Sequence, residues 1–275
     1  MGGTLRELHY DGVPLLDGFA VHEMSGGGRG QVLAPWPNRI RDGRYRFKGS
    51  ELQLPLSEVA LGNASHGLVR WVAWEVLDHQ PEFVRIGYSL HPQPGYPFSL
   101  RLEITYVLSP TGLAVRLWVQ NEGDGSAPFG AGFHPYLVAG PGPVDQWKLQ
   151  VPATERLLTD ERMLPIGREP VDGRFDFRRP RQIGSLKLDT CFASLTGDRI
   201  SVEGERRVEL WMSEGFSHLM VYTGDGLPTG ARSGLAVEPM TCAPDAFNSG
   251  EGLRTLAPGE DLELAWGISA PSTKS

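Results

Sequence analysis

His134 stands in AGFHPYLV (residues 131–138), behind a run of small residues and directly ahead of a proline. Proline holds the residue before it extended, so the imidazole is aimed rather than free. Gly130, Ala131 and Gly132 let a ligand or another backbone come close. Histidine, with an unperturbed pKa of about 6.5, gives or takes a proton near neutrality. Two readings of His134 stand side by side: a core histidine with its polar atoms satisfied, or an acid facing a ligand. Glu238, in LAVEPMTCAPDAFNSG (residues 235–250), ends an apolar run and is again followed by proline. A carboxylate at the end of a buried strand is desolvated, which raises its pKa toward the range of a general base. The plainer reading is a salt-bridged strand end. His66 in GNASHGLVRW and Arg39 in APWPNRIRDGRYRFKG lie among turn residues, where a surface or rim position is expected. Asp189 in KLDTCFA suits a turn or a cap as well as a ligand contact.

Other chemistries lack their residues. The histidines are scattered, with no HxxxH and no CxxC spacing, so no metal site is expected. There is no phosphate-binding loop, no dinucleotide fingerprint and no GxSxG elbow, and no cofactor is expected. Gly26-Gly27-Gly28 lacks a strand–helix context and reads as a flexible loop. The net charge of −7 argues against a nucleic-acid surface. No stretch approaches the roughly 20 apolar residues of a membrane span, and no charged-then-apolar leader opens the chain. The chain therefore reads as soluble and cytoplasmic, with no membrane partner. Its two cysteines, Cys191 and Cys242, are expected to be free thiols.

The elements that must position these residues are strands. Apolar and polar residues alternate over Leu100–Leu108, Leu113–Val119, Val208–Met212 and Leu262–Ile268. Each set offers one face to bury and one to wet, as an antiparallel strand requires. Glycine and proline fall between the runs, where turns belong. No long segment repeats apolar residues at helical spacing. Strand following strand without crossovers predicts an all-β fold, a large antiparallel β-sandwich with few short helices. With no linker, low-complexity tract or internal repeat, the 275 residues are expected to form a single domain, 1–275, with a tail that frays from about Ala270.

The wording and order of these segments resemble the aldose 1-epimerase (galactose mutarotase) family from about Gly3 to Ile268. NRIRDGRYRFKG is similar to that family's Asn-Arg segment, HGLVRW to its first histidine motif and GFHPYL to its second. LDTCF resembles its aspartate segment, and VEPMTCAPDAFNSG its glutamate segment. The family fold is a large antiparallel β-sandwich, and its reaction interconverts the α and β anomers of free aldoses. The resemblance implies that Glu238 takes the proton from the C1 hydroxyl and that His134, charged by a neighbouring carboxylate, protonates the ring oxygen. Arg39, His66 and Asp189 are implied to hold the sugar. The implied partner is a small sugar, and the chain is expected to be a monomer or a homodimer.

The departures also shape the expectation. Where many family members carry glutamine two residues after the glutamate, this chain has Met240, which would pack on a sugar face instead. An extra segment often precedes GGTLRELHYDGVPLL, so an edge strand is expected to be absent or to lie upstream. The wording is closest to a bacterial branch that includes a sulfoquinovose mutarotase. Arg41, Arg44, Arg46 and Arg70 stand near the candidate site in sequence, and an arginine fork reads a sulfonate or phosphate well. A hexose-6-phosphate or sulfosugar 1-epimerase is therefore an alternative. A non-catalytic carbohydrate-binding protein, with Trp36, Trp71, Trp74 and Trp211 as aromatic platforms, is another. A glycoside hydrolase would use two carboxylates, Asp189 and Glu238, but leaves the histidines unexplained.

Overall fold

All four alternating segments form strands, and the four lie side by side. The computed structural model describes residues 1–228 and 230–270. Arg207–Met212, Asp261–Ser269, Gly112–Asn121 and Leu100–Ser109 are consecutive neighbours near the middle of a nine-stranded sheet. Its other strands are Arg181–Gln182, Lys148–Gln150 and Arg199–Glu203 at one end, and Phe83–Leu90 and Glu75–Gln80 at the other. Register stacks Ile104, Leu117 and Leu264 in one row, all buried, while Glu103, Trp118 and Glu263 form the neighbouring row on the opposite, partly wet face. At the expected start of the tail, Ala270 is itself buried, and the rest of the tail, 271–275, lies outside the described residues.

A second sheet of eight strands packs against this one. Its members are β1 (Val32–Leu33), β2 (Gly132–Phe133), β3 (Tyr136–Leu137), β4 (Ala153–Thr159), β5 (Pro165–Pro170), β6 (Asp189–Leu195), β7 (His218–Tyr222) and β8 (Leu235–Met240). The order is β5-β4-β6-β7-β8-β2-β1, with β3 also paired to β8, and every one of these ladders is antiparallel. Phe133 of β2 meets Trp266 of the nine-stranded sheet with ring centroids 5.0 Å apart, one of the contacts that join the layers. Val32, Phe133, Leu219, Val221 and Val237 lie in the same buried apolar cluster as Leu117 and Leu264.

The period of two does the positioning. Because Phe133 and Val237 point between the sheets, Gly132 and Glu238 point to the other face, where Met220 and Tyr222 lie beside Glu238 and Asp189 in register. That face is roofed by loops and short strand pairs, including the Arg39–Arg41/Asn63–Ser65 pair. Among the described residues the α-helix content is one turn, Ala246–Ser249, with four short 3-10 turns, as the absence of helical periodicity predicts.

Candidate active site

Between the roof and the second sheet lies a cleft of about 550 Å3, and all five candidate residues line it: Arg39, His66, His134, Asp189 and Glu238. Its size falls within the roughly 300–1,000 Å3 of small-molecule sites. Depressions of about 630 and 750 Å3 occur elsewhere on the surface; chemistry, not size, distinguishes this one.

Glu238 and His134 meet at the cleft floor. His134 Nε2 is 3.3 Å from Glu238 Oε1, and both side chains are almost fully buried. Among the described residues, Glu238 Oε2 and His134 Nδ1 have no hydrogen-bond partner. Burial pushes the Glu238 carboxyl well above its ordinary range; Asp189 raises it further, and Arg39 opposes. Burial pushes His134 down to about 3; the backbone opposes this, and the charges of Arg70 and Arg29 add to it. Burial thus acts against the imidazolium that a neighbouring carboxylate would favour. Withdrawn from water, both groups favour their uncharged forms, a carboxylic acid beside a neutral imidazole.

The His134 ring is clamped on its faces. Tyr136 stacks parallel to it, centroids 5.2 Å apart at 6°, and His66 meets it at 5.6 Å, edge-on. On the roof side, Gly28 has φ +77° and lies so close that a Cβ there would be 2.7 Å from His134 Cδ2. Tyr136 Oη donates to Gly27 O at 2.8 Å, and Arg29 lies 5.0 Å over the tyrosine ring. The Gly26–Gly28 run, expected to be a flexible loop, forms a short turn with Gly27 in the left-handed region and packs over the candidate acid.

His66 adopts φ +62°, a backbone region that non-glycine residues rarely occupy and that clusters at functional sites. Its Nδ1 accepts from the Asn38 N–H at 3.2 Å. Nδ1 therefore carries no proton, and Nε2–H is the donor. Burial, then the neighbouring His134, Arg70 and Arg39, hold this imidazole well below its ordinary pKa, so it stays neutral. Arg39 donates twice to Glu58, Nε at 2.7 Å and Nη2 at 2.9 Å. Asp189 reaches solvent through the cleft yet is crowded by protein; burial raises its pKa and Arg39 lowers it.

The segment after Glu238 serves the site without entering the cleft. Asp245 accepts the Arg41 N–H at 3.0 Å and donates its own N–H to Arg39 O at 2.7 Å, which anchors the short strand that carries Arg39. Met240, expected to pack on a sugar face, is fully buried beneath the cleft in a cluster with Cys191 and Met220; of these, Met220 lines the cleft and Met240 does not. Both cysteines are buried free thiols. Of the four arginines, Arg70 alone lines the cleft. Arg41 faces Asp160 and Asp245, Arg44 donates to Gln53, and Arg46 is exposed beside Glu51. Of the four tryptophans, Trp71 stands at the cleft. Sequence reasoning missed Glu58, Tyr136, Tyr222 and Asn38; the one available signal was that Asn38 and Tyr136 adjoin residues already singled out.

No helix among the described residues is long and apolar enough to cross a membrane. A sequence model of the aldose 1-epimerase family matches residues 1–269. The uncharacterised Escherichia coli protein YihR is 35% identical over 272 residues, spanning 98% of this chain and 87% of its own. Two solved structures share the fold. A putative aldose 1-epimerase from Escherichia coli matches with a TM-score of 0.84 at 24% identity, over 98% of this chain and 92% of that one. Galactose 1-epimerase from Lactobacillus acidophilus matches at 0.81 and 22%, over 98% and 90%. On the family match over residues 1–269, the chain belongs to the aldose 1-epimerase family and is an isomerase.

Proposed function

We propose that this protein interconverts the α and β anomers of a free aldose, with Glu238 and His134 as the acid–base pair. The observation that supports the reading is the 3.3 Å contact between His134 Nε2 and Glu238 Oε1 on the floor of a sugar-sized cleft. One proton transfer across that contact converts the uncharged pair into carboxylate and imidazolium. In the charged form Glu238 takes the proton from the C1 hydroxyl while His134 Nε2 gives one to the ring oxygen. The C1–O5 bond breaks, the aldehyde forms and the pair is left uncharged. After rotation about C1–C2, the O5 hydroxyl attacks the other face of C1; His134 takes its proton and Glu238 returns one to O1. No net proton is consumed. His66 Nε2–H, Asp189 and Arg39 face the same space and hold sugar hydroxyls. Buried groups suit this task, because low dielectric strengthens each transfer partner's hold on the reacting oxygens.

A sugar carrying a C6 sulfonate or phosphate is a second reading, favoured by one observation. Arg39 is tied to Glu58, whereas Arg70 lines the cleft with no carboxylate within ion-pair distance among the described residues. Polarimetry on freshly dissolved α-D-glucose and α-D-galactose, with glucose 6-phosphate and sulfoquinovose alongside, tests both. Acceleration over the buffer rate is expected, and the ranking of the sugars decides between neutral and anionic substrates. Binding without acceleration of any sugar would replace the proposal with a carbohydrate-binding protein.

A further inference from the structure

The backbone pairing beside His134 is irregular. Register along β1 and β2 sets Gly132 opposite Leu33 and Phe133 opposite Val32. One step further, the His134 N–H donates to Gln31 O at 3.1 Å, while His134 O accepts from the Gly30 N–H at 2.8 Å. Two residues thus oppose one, and the first of them, Gly30, has φ +66°. This is a glycine β-bulge, a device that re-aims a side chain next to an active site. Val32 and Phe133 point into the core between the sheets. The alternate positions, Gln31 and Leu33 on one strand and Gly132 and His134 on the other, take the opposite side. Gln31 and His134 are therefore cross-strand neighbours on the cleft side, at a separation that long side chains bridge.

Gln31 is fully buried, and among the described residues neither its Oε1 nor its Nε2 has a hydrogen-bond partner. The same holds for His134 Nδ1. A carboxamide with both ends unpaired is a liability in a core and calls for an explanation. Here a second unpaired polar group stands directly across the bulge. Tyr136 and Gly28 already fix the plane of the imidazole, so the property left to set is which nitrogen carries the proton.

We propose that Gln31 is the positioning residue that sets the tautomer of His134. Its carboxamide oxygen accepts the Nδ1 proton, and Nε2, which faces Glu238, becomes the atom that gains and loses the catalytic proton. An acceptor is the right partner, since Nδ1 holds its proton in both the neutral and the charged imidazole of the cycle. A donor would force the proton of the neutral ring onto Nε2 and leave that atom unable to accept. The arrangement is the reverse of His66, whose Nδ1 accepts from Asn38. It rests on the reading of His134 as the acid, and it depends on side-chain torsion only, because the two bulge hydrogen bonds hold both backbones.

The test is 15N NMR of histidine-labelled protein, with His134 assigned by its loss in H134N, on the wild type and on Gln31→Met. Methionine has similar length and no amide. The wild type is expected to show a protonated Nδ1 and an unprotonated Nε2. Q31M is expected to show mixed tautomers, with kcat lower by about 10-fold, as for outer partners of functional histidines, KM within about 2-fold and a melting temperature equal or higher. An Nε2–H tautomer in the wild type, or unchanged His134 signals in Q31M, would overturn the proposal; so would a lower melting temperature with the tautomer intact, which marks a packing residue. Failure of the acid–base reading itself is separately visible, since H134N would then keep its rate while the tautomer still followed residue 31.

Discussion

The two sheets carry the same kind of hydrogen-bonded ladder and opposite kinds of sequence. In the nine-stranded sheet, strands such as Leu100–Ser109 and Gly112–Asn121 alternate buried with accessible residues. In β8 of the second sheet all six residues are buried, and in β7 the first four are. A sheet with one wet face writes its register into the sequence as a period of two; a sheet covered on both faces reads as a continuous apolar run. Hence LAVEPM has no visible alternation, and its one charged residue, Glu238, is the anomaly. The first sheet supplies packing. The second, roofed by the Gly26–Gly28 turn and the Asn38–Trp71 region, supplies a surface withdrawn from water on which a carboxyl and an imidazole can both be kept uncharged.

If that division holds, damage to the covered face abolishes turnover and leaves the fold standing. Glu238→Gln removes a proton-transfer group at nearly constant volume, and His134→Asn removes one together with the ring that stacks on Tyr136. Each is expected to lower kcat by at least about 10²-fold; the melting temperature of Glu238→Gln is expected to stay unchanged, because one uncharged group replaces another, and that of His134→Asn to fall modestly with the lost stack on Tyr136. Steady-state polarimetry beside thermal unfolding measures both. A near-normal rate in either variant would sink the assignment of the pair.

Damage to the alternating sheet should do the reverse. Leu117 is fully buried at the centre of its sheet, in register with Ile104 on one side and Leu264 on the other. Leu117→Ala deletes buried methyl groups and is expected to cost roughly 2–5 kcal/mol of stability, while kcat per folded molecule stays within about 2-fold. A matching loss of kcat in the folded fraction would mean that the two sheets are coupled, and that the first does more than support the second.

The same contrast explains what the sequence disclosed. Four strands of the nine-stranded sheet were legible from periodicity alone, because water on one face forces the pattern. The five candidate residues were legible from local anomaly and from resemblance, and all of them line one cleft. What stayed hidden depends on groups distant along the chain. Glu58 reaches Arg39 from another loop, and Arg39 is thereby held rather than free. Tyr136 could be read as part of a motif, but its stacking on His134 and its bond to Gly27 exist only after β3 and the glycine turn come together. A glycine run looks flexible on paper, since nothing local reveals that the absent Cβ makes room for a histidine. A sequence locates the carboxylate beside His134 but not the burial that acts against charge on both groups.

The clamp on His134 sharpens the comparison at its finest scale, because it asks whether a buried aromatic on the covered face acts through packing or through aim. Tyr136 is 1% exposed, stacks on the imidazole and anchors the glycine turn with its hydroxyl. Tyr136→Phe keeps the stack and frees Gly27 O, so kcat is expected to fall by less than about 3-fold. Tyr136→Leu removes the flat surface as well, leaving the ring free to tilt away from Glu238, and a fall of roughly 10-fold in kcat with little change in KM is expected, since misplacement of a reacting group is felt in the transition state. If instead both variants lose stability alike and retain kcat alike, the tyrosine is core in the same sense as Leu117, and the aim of His134 comes from Gly28 and the bulge on its other side.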